Sequence, residues 1–292
     1  MKPTLTVFTC TYNRAYTIHR TYRSLCRQTC MDFMWLIVDD GSTDNTKELV
    51  EQWEKEGIIP VKYVYKENGG LHTGYNKAIE LMDTELCVCI DSDDWMPDDA
   101  VDIILTEWPK CKKQGLIGII GRDYYPNNKM IGLPFPPVES AYVIELMDKF
   151  NHSGDKKLVM RVDLLKKTPA QPTYNGEKNF NPIYRILQLD QYGRSLLLEK
   201  NLCYVDYQDT GMAANIFKQF VNSPNSFCAL RSLYISLDYT TWRFKIKNLL
   251  HLASSSIIAN DFVWLRKCKY PILAHLMIPF GYLLSKYIRN KV

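Results

Sequence analysis

Phe33-Met34-Trp35-Leu36-Ile37-Val38-Asp39-Asp40-Gly41-Ser42-Thr43-Asp44-Asn45-Thr46 reads as a short apolar strand that runs into a polar turn and then into a helix over residues 46–53. The pattern recurs along the first 120 residues. A strand over 5–9 leads to Thr11-Tyr12-Asn13-Arg14 and a helical stretch with Ile18, Tyr22, Leu25 and Cys26 on one face. Strands over 61–65 and 86–90 lead to Glu67-Asn68-Gly69-Gly70-Leu71-His72 and Asp91-Ser92-Asp93-Asp94, with helices over 74–82 and 97–108 and a further strand over 116–120. Such alternation predicts βαβ units, hence an α/β fold with a Rossmann-like, mostly parallel sheet covered by helices on both faces. Each polar cluster falls at a strand's carboxyl end, the edge where these sheets bind ligands.

The remainder is less regular. A helix is expected over 139–150, a strand over 158–162, a loop rich in Pro, Asn and Gly over 168–182, and a helical, aromatic region after about residue 211. The 292 residues are 46% apolar and 23% charged, which excludes a disordered or collagen-like chain and leaves room for one large domain or two. The opening residues form no apolar run with a cleavage site, so no secretory signal is expected. Nine scattered cysteines read as reduced thiols, and Cys87-Val88-Cys89 lacks the second pair that zinc would need. The expected compartment is the cytoplasm.

The clusters carry chemistry beyond helix capping. Ser42 or Asp44 is expected to cap the following helix, but capping leaves Asp39 and Asp40 repelling each other unless a ligand or cation relieves them. In an extended segment Asp91 and Asp93 point to one side, pairing hard oxygen ligands suited to Mg²⁺ or Mn²⁺ shared with phosphate oxygens. A calcium loop is excluded because Trp95-Met96-Pro97 stands where glycine and later acidic ligands would be required. Gly69 and Gly70 would let backbone approach a diphosphate closely.

Together, Thr9-Cys10-Thr11-Tyr12-Asn13-Arg14, Ile37 to Asp44, Asn68 to Ile79 and Ile90 to Trp95 resemble the nucleotide-sugar half of family 2 glycosyltransferases with the GT-A fold. The likeness continues more loosely through Tyr174-Asn175-Gly176-Glu177-Lys178 and Tyr207-Gln208-Asp209-Thr210-Gly211-Met212. The resemblance implies inverting transfer of a sugar from a nucleotide diphosphate sugar, usually UDP-linked, to a hydroxyl of a glycan or lipid-linked acceptor. It implies that Thr9, Thr11, Arg14, Asp40, Gly69, Gly70 and Asp91 hold the donor, that Asp93, Asp91 or Asp94 ligates the metal, and that Glu177 is the catalytic base. Asp155 is a second candidate base. The family's usual Glu-Asp pair is Glu177-Lys178 here. That departure keeps a catalytically inactive scaffold as an alternative, whereas a nucleotidyltransferase would want glycines in the loop after the first strand.

Residues 241–292 hold nine Lys or Arg against one acid, Asp261, a net +8 that leaves −4 on the first 240 residues. Leu273, Leu276, Met277, Phe280, Leu284, Tyr287 and Ile288 fall at helical spacing. The apolar run over 270–285 is short and contains His275, Pro279 and Gly281, so helices lying in the interface of an anionic membrane are expected rather than a span. Packing on the protein's own core or in a homo-oligomer is the alternative, and nucleic acid is not an expected partner. The expected partition is a GT-A domain over 1–215, with a nucleotide-sugar half (1–121) and an acceptor half (122–215), then a helical region over 216–292 that is peripheral on the inner face of the membrane.

Overall fold

The computed structural model describes residues 2–207 and 215–292. The chain forms two compact units, Met1–Ala170 with Arg185–Asp206, and Gln171–Tyr184 with Tyr207–Val292. This division differs from a boundary near 215, because residues 171–184 leave the sheet unit and group with the C-terminal helices. The ends of that excursion lie side by side: Arg185 donates from Nε to Thr168 Oγ1 at 3.0 Å.

The sheet unit alternates as its pattern predicts. β1 (Leu5–Thr11), α1 (Ile18–Cys26), β2 (Phe33–Asp39), α2 (Thr46–Glu56), β3 (Val61–Tyr65), α3 (Leu71–Leu81), β4 (Leu86–Cys89), α4 (Ala100–Lys113) and β5 (Gly118–Tyr124) follow in order. The helix expected over 139–150 is a short strand, β6 (Ser140–Ala141), and α5 (Val143–Asp148); β7 (Lys156–Arg161), α6 (Val162–Lys167) and β8 (Ser195–Tyr204) complete the unit, and α7 (Ile183–Ile186) spans the division at residue 185. The sequence reading missed β8, whose Glu199-Lys200-Asn201 interrupts the apolar run.

The eight strands form one sheet in the order β3-β2-β1-β4-β7-β5-β8-β6. β3, β2, β1 and β4 are mutually parallel, β7 is antiparallel to both β4 and β5, and β5 is parallel to β8. Period-two alternation sends Leu5 and Val7 of β1 to one face, against Ile18, Tyr22 and Leu25 of α1 and Val50 and Trp53 of α2. Tyr22, Trp35 and Trp53 stack there, Tyr22 and Trp53 with ring centroids 4.4 Å apart. Phe8 faces the other way and meets Tyr75 of α3 edge-on at 5.1 Å. Helices therefore cover both faces, and the strand-end loops of β1 to β4 are left at one edge.

The second unit is helical: α8 (Ile216–Asn222), α9 (Pro224–Ser236), α10 (Trp242–Ala259), α11 (Val263–Lys267), α12 (Pro271–Leu276) and α13 (Ile278–Arg289). Its core joins Cys228 and Ile235 of α9, Leu249, Leu252 and Ala253 of α10, Leu265 and Ala274. α10 starts at Thr241, whose hydroxyl accepts from Phe244 N at 3.2 Å, and stops at Asn260 in the left-handed conformation. α13 approaches α10 closely because Gly281 has no side chain; a Cβ there would lie 2.7 Å from that of Ala253.

The stripe expected on one side of α12 and α13 is split. Leu273 and Met277 pack against the core and Ile288 is buried with Ala274, Gly281 and Ser285, whereas Leu276, Phe280 and Tyr287 stand outward with Ile272 and Leu283. No helix among the described residues is long and apolar enough to cross a membrane.

Candidate active site

β1 lies between β2 and β4, so successive connections leave it in opposite directions: toward β2 and β3 on one side, and toward β4 on the other. That is the topological switch point at which α/β sheets open a crevice beyond their carboxyl ends. The loop after β1, residues 12–17, and the turn after β4, residues 91–94, flank it.

The β1 and β2 loops are stitched together. Asn13, at positive φ, accepts through Oδ1 from Thr43 N at 2.8 Å, and its own amide donates to Ser42 Oγ at 2.8 Å. Asp44 accepts from Ala15 N and, at 3.1 Å, from Thr46 N, so it is Asp44 rather than Ser42 that takes up an amide in the first turn of α2. Burial alone would raise the Asp44 carboxyl, but these bonds hold it below the usual range.

The strand-end pair Asp39-Asp40 is relieved from within the chain. Asp39 accepts from Ser42 N and from the Tyr63 hydroxyl, both at 2.7 Å. Asp40 pairs with the Lys66 ammonium and accepts from Gly69 N at 3.0 Å and Gly70 N at 2.7 Å. The two glycine amides expected at a diphosphate are thus directed at Asp40, and Gly70 reaches it with φ of 92°. Thr9 is likewise committed inward: its hydroxyl donates to Ile90 O at 2.8 Å and accepts from Trp35 Nε1 at 3.0 Å. In this arrangement the polar groups of Asp40, Gly69, Gly70 and Thr9 hydrogen-bond within the chain. Thr11 differs, since its buried Oγ1 has no hydrogen-bond partner among the described residues. Arg14 is partly exposed, with Nη1 on the Tyr16 hydroxyl at 2.6 Å, and its charge offsets only part of the rise that burial imposes on the Asp93 carboxyl.

Asp91 to Asp94 form a turn rather than an extended segment, closed by Asp94 N on Asp91 O at 3.0 Å. Asp91 is exposed and Asp93 partly exposed. Burial, followed by the nearby Asp91 charge, raises the Asp93 carboxyl. Asp94, an expected alternative metal ligand, points inward instead. Its carboxylate lies 3.9 Å from the Lys157 ammonium of β7, which stands 3.9 Å from Asp123 of β5 as well. Burial raises both Asp94 and Asp123, and Lys157 partly offsets that; Asp123, Asp94 and Asp91 in turn keep the buried ammonium charged. The sequence reading missed Lys157 and Asp123. The available signal was a lysine two residues before Val159 on the inward side of an apolar strand.

Among the described residues no three His, Cys, Asp or Glu side chains form a preassembled metal cluster. Asp91 and Asp93 nevertheless fit a hard divalent cation. They are accessible oxygen donors whose mutual repulsion a cation would relieve, and Mg²⁺ or Mn²⁺ takes few protein carboxylates where phosphates and water complete the shell.

Glu177 belongs to the helical unit and is buried. Oε1 accepts from Asn225 N and Nδ2, both at 2.9 Å, and Oε2 from Ser226 N at 2.8 Å and Ser226 Oγ at 2.7 Å. A carboxylate has about four lone-pair sites, and all are taken. This side chain holds the first turn of α9, an arrangement at odds with the expected catalytic base. Asp155 is exposed, beside the start of β7 at the same sheet edge as Asp123, whose carboxyl its charge raises. The Tyr207 to Met212 motif lies outside the described residues from Gln208 onward.

Residues 6–167, more than half of the chain, match glycosyl transferase family 2. A chondroitin synthase of Pasteurella multocida (strain Pm70) is 32% identical over 130 residues, covering 44% of this chain and 13% of that protein. A validoxylamine A glucosyltransferase of Streptomyces hygroscopicus subsp. jinggangensis (strain 5008) is 43% identical over 70 residues, covering 23% of this chain and 16% of that protein. The chain thus spans less than a fifth of the length of these two relatives. Among solved structures, S. aureus TarS 1-349 in complex with UDP-GlcNAc aligns with a TM-score of 0.59 at 16% identity, over 100% of this chain and 92% of that one. Mannosyltransferase PcManGT from Pyrobaculum calidifontis, in complex with GDP-Man and Mn²⁺, aligns with a TM-score of 0.57 at 17% identity, over 99% and 83%. At such identities the likeness shows the fold, which is GT-A. With the crevice at the β1/β4 switch point and the Asp91–Asp94 turn beside it, the family match settles the lineage: the chain belongs to glycosyl transferase family 2.

Proposed function

We propose that the protein is a metal-dependent inverting glycosyltransferase that moves a sugar from a UDP-linked donor to a hydroxyl of a glycan or lipid-linked acceptor, at the inner face of a membrane. The observation that carries this is the Asp91–Asp94 turn set beside Thr11 to Arg14 at the switch point. Thr11, with its unpartnered hydroxyl, and Arg14 line the donor side; Asp91 and Asp93 hold Mn²⁺ or Mg²⁺. When bound, the metal supplies positive charge to the leaving diphosphate. The acceptor oxygen attacks the anomeric carbon as the bond to the diphosphate breaks, and a carboxylate accepts the hydroxyl proton.

Asp155 is the proton acceptor in this reading and Glu177 the anchor of α9, because Glu177 has no lone pair left for a sugar hydroxyl. The membrane surface enters through the basic C-terminal region. A second reading, an inactive GT-A scaffold, is favoured by Lys178 and by the commitment of Glu177. Incubating the purified protein with Mn²⁺ and UDP-, GDP- and CMP-sugars separates the two. Donor turnover that EDTA abolishes supports the enzyme, and binding without turnover for every donor supports the scaffold.

A further inference from the structure

Soluble helices turn large apolar side chains inward and small or polar ones outward. The segment of α12 and α13 carries large apolar side chains on both sides. Leu273, Met277 and Ile278 pack against the core, where Ala274, Gly281, Ser285 and Ile288 are buried, while Ile272 is 77% exposed, Leu276 61%, Phe280 60%, Leu283 65% and Tyr287 53%. These five stand at intervals of three or four residues, so they form one continuous ridge along both helices.

The ridge has a charged border of one sign. After Asp261 the chain carries Arg266, Lys267, Lys269, Lys286, Arg289 and Lys291 and no further acid. Lys269 pairs with Asp238, and the other five form no ion pair among the described residues. The border is also aromatic: the Lys286 ammonium lies 4.8 Å from the Tyr282 ring centroid, and that of Lys291 5.7 Å from the Tyr287 centroid. A patch of apolar side chains this exposed marks a contact surface. A ridge of Ile, Leu and Phe beside Lys286, Arg289, Lys291 and two tyrosines suits a layer with hydrocarbon beneath and negative charge above. A second copy would instead have to set this positive border against its own, at the cost of like-charge repulsion.

We propose that the outward face of α12 and α13 is a monolayer-inserting surface, with Ile272, Leu276, Phe280 and Leu283 entering the acyl boundary of an anionic phospholipid bilayer and Lys286, Arg289 and Lys291 at its headgroups. This deepens the reading that the protein works at a membrane, by naming the face that meets it. The row facing α10 stays closed, so insertion requires no unfolding of the helical unit.

The test uses the full chain with vesicles of phosphatidylcholine, with and without phosphatidylglycerol, read by sedimentation. Wild type is expected to bind the anionic vesicles and to keep a salt-resistant fraction. Replacing the ridge by Ile272→Ser, Leu276→Ser, Phe280→Ser and Leu283→Ser should remove that fraction and lower partition at least about tenfold, with the thermal melt and the UDP-induced shift preserved because these side chains are exposed. Lys286→Glu, Arg289→Glu and Lys291→Glu should remove the salt-sensitive part. Vesicle binding by the ridge variant equal to wild type overturns the assignment of the face. A wild-type protein that ignores every vesicle overturns the membrane reading as a whole, and a wild-type dimer that the ridge variant converts to monomer gives the face to a second copy. Because UDP binding is read separately, none of these outcomes is confused with failure of the donor site.

Discussion

Single residues at the crevice divide by where their oxygens are spent. Asp40 and Glu177 are motif residues whose carboxylates are fully engaged by the chain, whereas Asp91 and Asp93 stay accessible and repel each other. Asp93→Ala should therefore abolish transfer and Mn²⁺-dependent UDP binding while leaving the melting temperature unchanged or slightly raised, since a repulsion is removed. Calorimetric titration of UDP with and without Mn²⁺, alongside a melt, checks both halves. Glu177→Gln puts an NH₂ group among donors, which should cost about 1–3 kcal/mol of stability in urea unfolding but leave turnover per folded molecule near wild type. Asp155→Asn should behave in the opposite way, keeping stability and lowering kcat by about 10² or more; equal kcat losses in the two variants would return the base role to Glu177. The sequence showed all of these carboxylates. It did not show which were occupied, because hydrogen-bond partners such as Asn225 and Ser226 lie some 50 residues away along the chain.

At the level of elements, local pattern was a good guide wherever a strand or helix is decided by its own neighbours. β1 to β5 and α1 to α4 follow from apolar strands punctuated by Asp, Asn and Gly. β8 did not, since its charged Glu199 and Lys200 fall in a register shift where the pairing with β5 passes from Leu197 to Asn201, and a bulge tolerates residues that break the apolar pattern. In the helical unit, His251 of α10 stacks on Phe220 at 6.2 Å between centroids. Burial, then the charges of Arg231 and Lys247, hold it down to about 4. An unfolded histidine titrates near 6.5, so the folded state resists protonation between those values. Stability from this group is full above about pH 6.5 and is lost as pH falls toward 4. His251→Phe should flatten the acid limb of a melting-temperature profile in that window, and an unchanged limb would assign the acid sensitivity to other groups. Gly281→Val should destabilise by about 1–3 kcal/mol, because its Cβ lands 2.7 Å from that of Ala253 in a close helix contact; guanidinium unfolding measures it.

For the whole molecule, the unit boundary sets what can be removed. A cut after residue 240 would strip Leu249 and Leu252 from Cys228 and Ile235 and leave α9 with an open apolar face. A chain ending at Asp206, with 171–184 replaced by a short glycine-serine link, keeps every strand and should melt cooperatively and still bind UDP with Mn²⁺, since Thr168 and Arg185 already touch. Loss of the UDP-induced thermal shift in a chain that still melts cooperatively would mean that the donor site needs the helical unit. By itself the sequence determined the alternation of β1 to β5 with their helices and the strand-end placement of the polar clusters, because period, turn chemistry and β-branching act over a few residues. Only the tertiary structure decided that Asp40 claims the glycine amides, that Lys157 stands behind Asp94, that Glu177 holds the start of α9 and that Ile272, Leu276, Phe280 and Leu283 stand outward. Each of these depends on which distant groups share a buried space, and a buried polar atom or a close helix contact is satisfied by whatever the fold brings to it, at any separation along the chain.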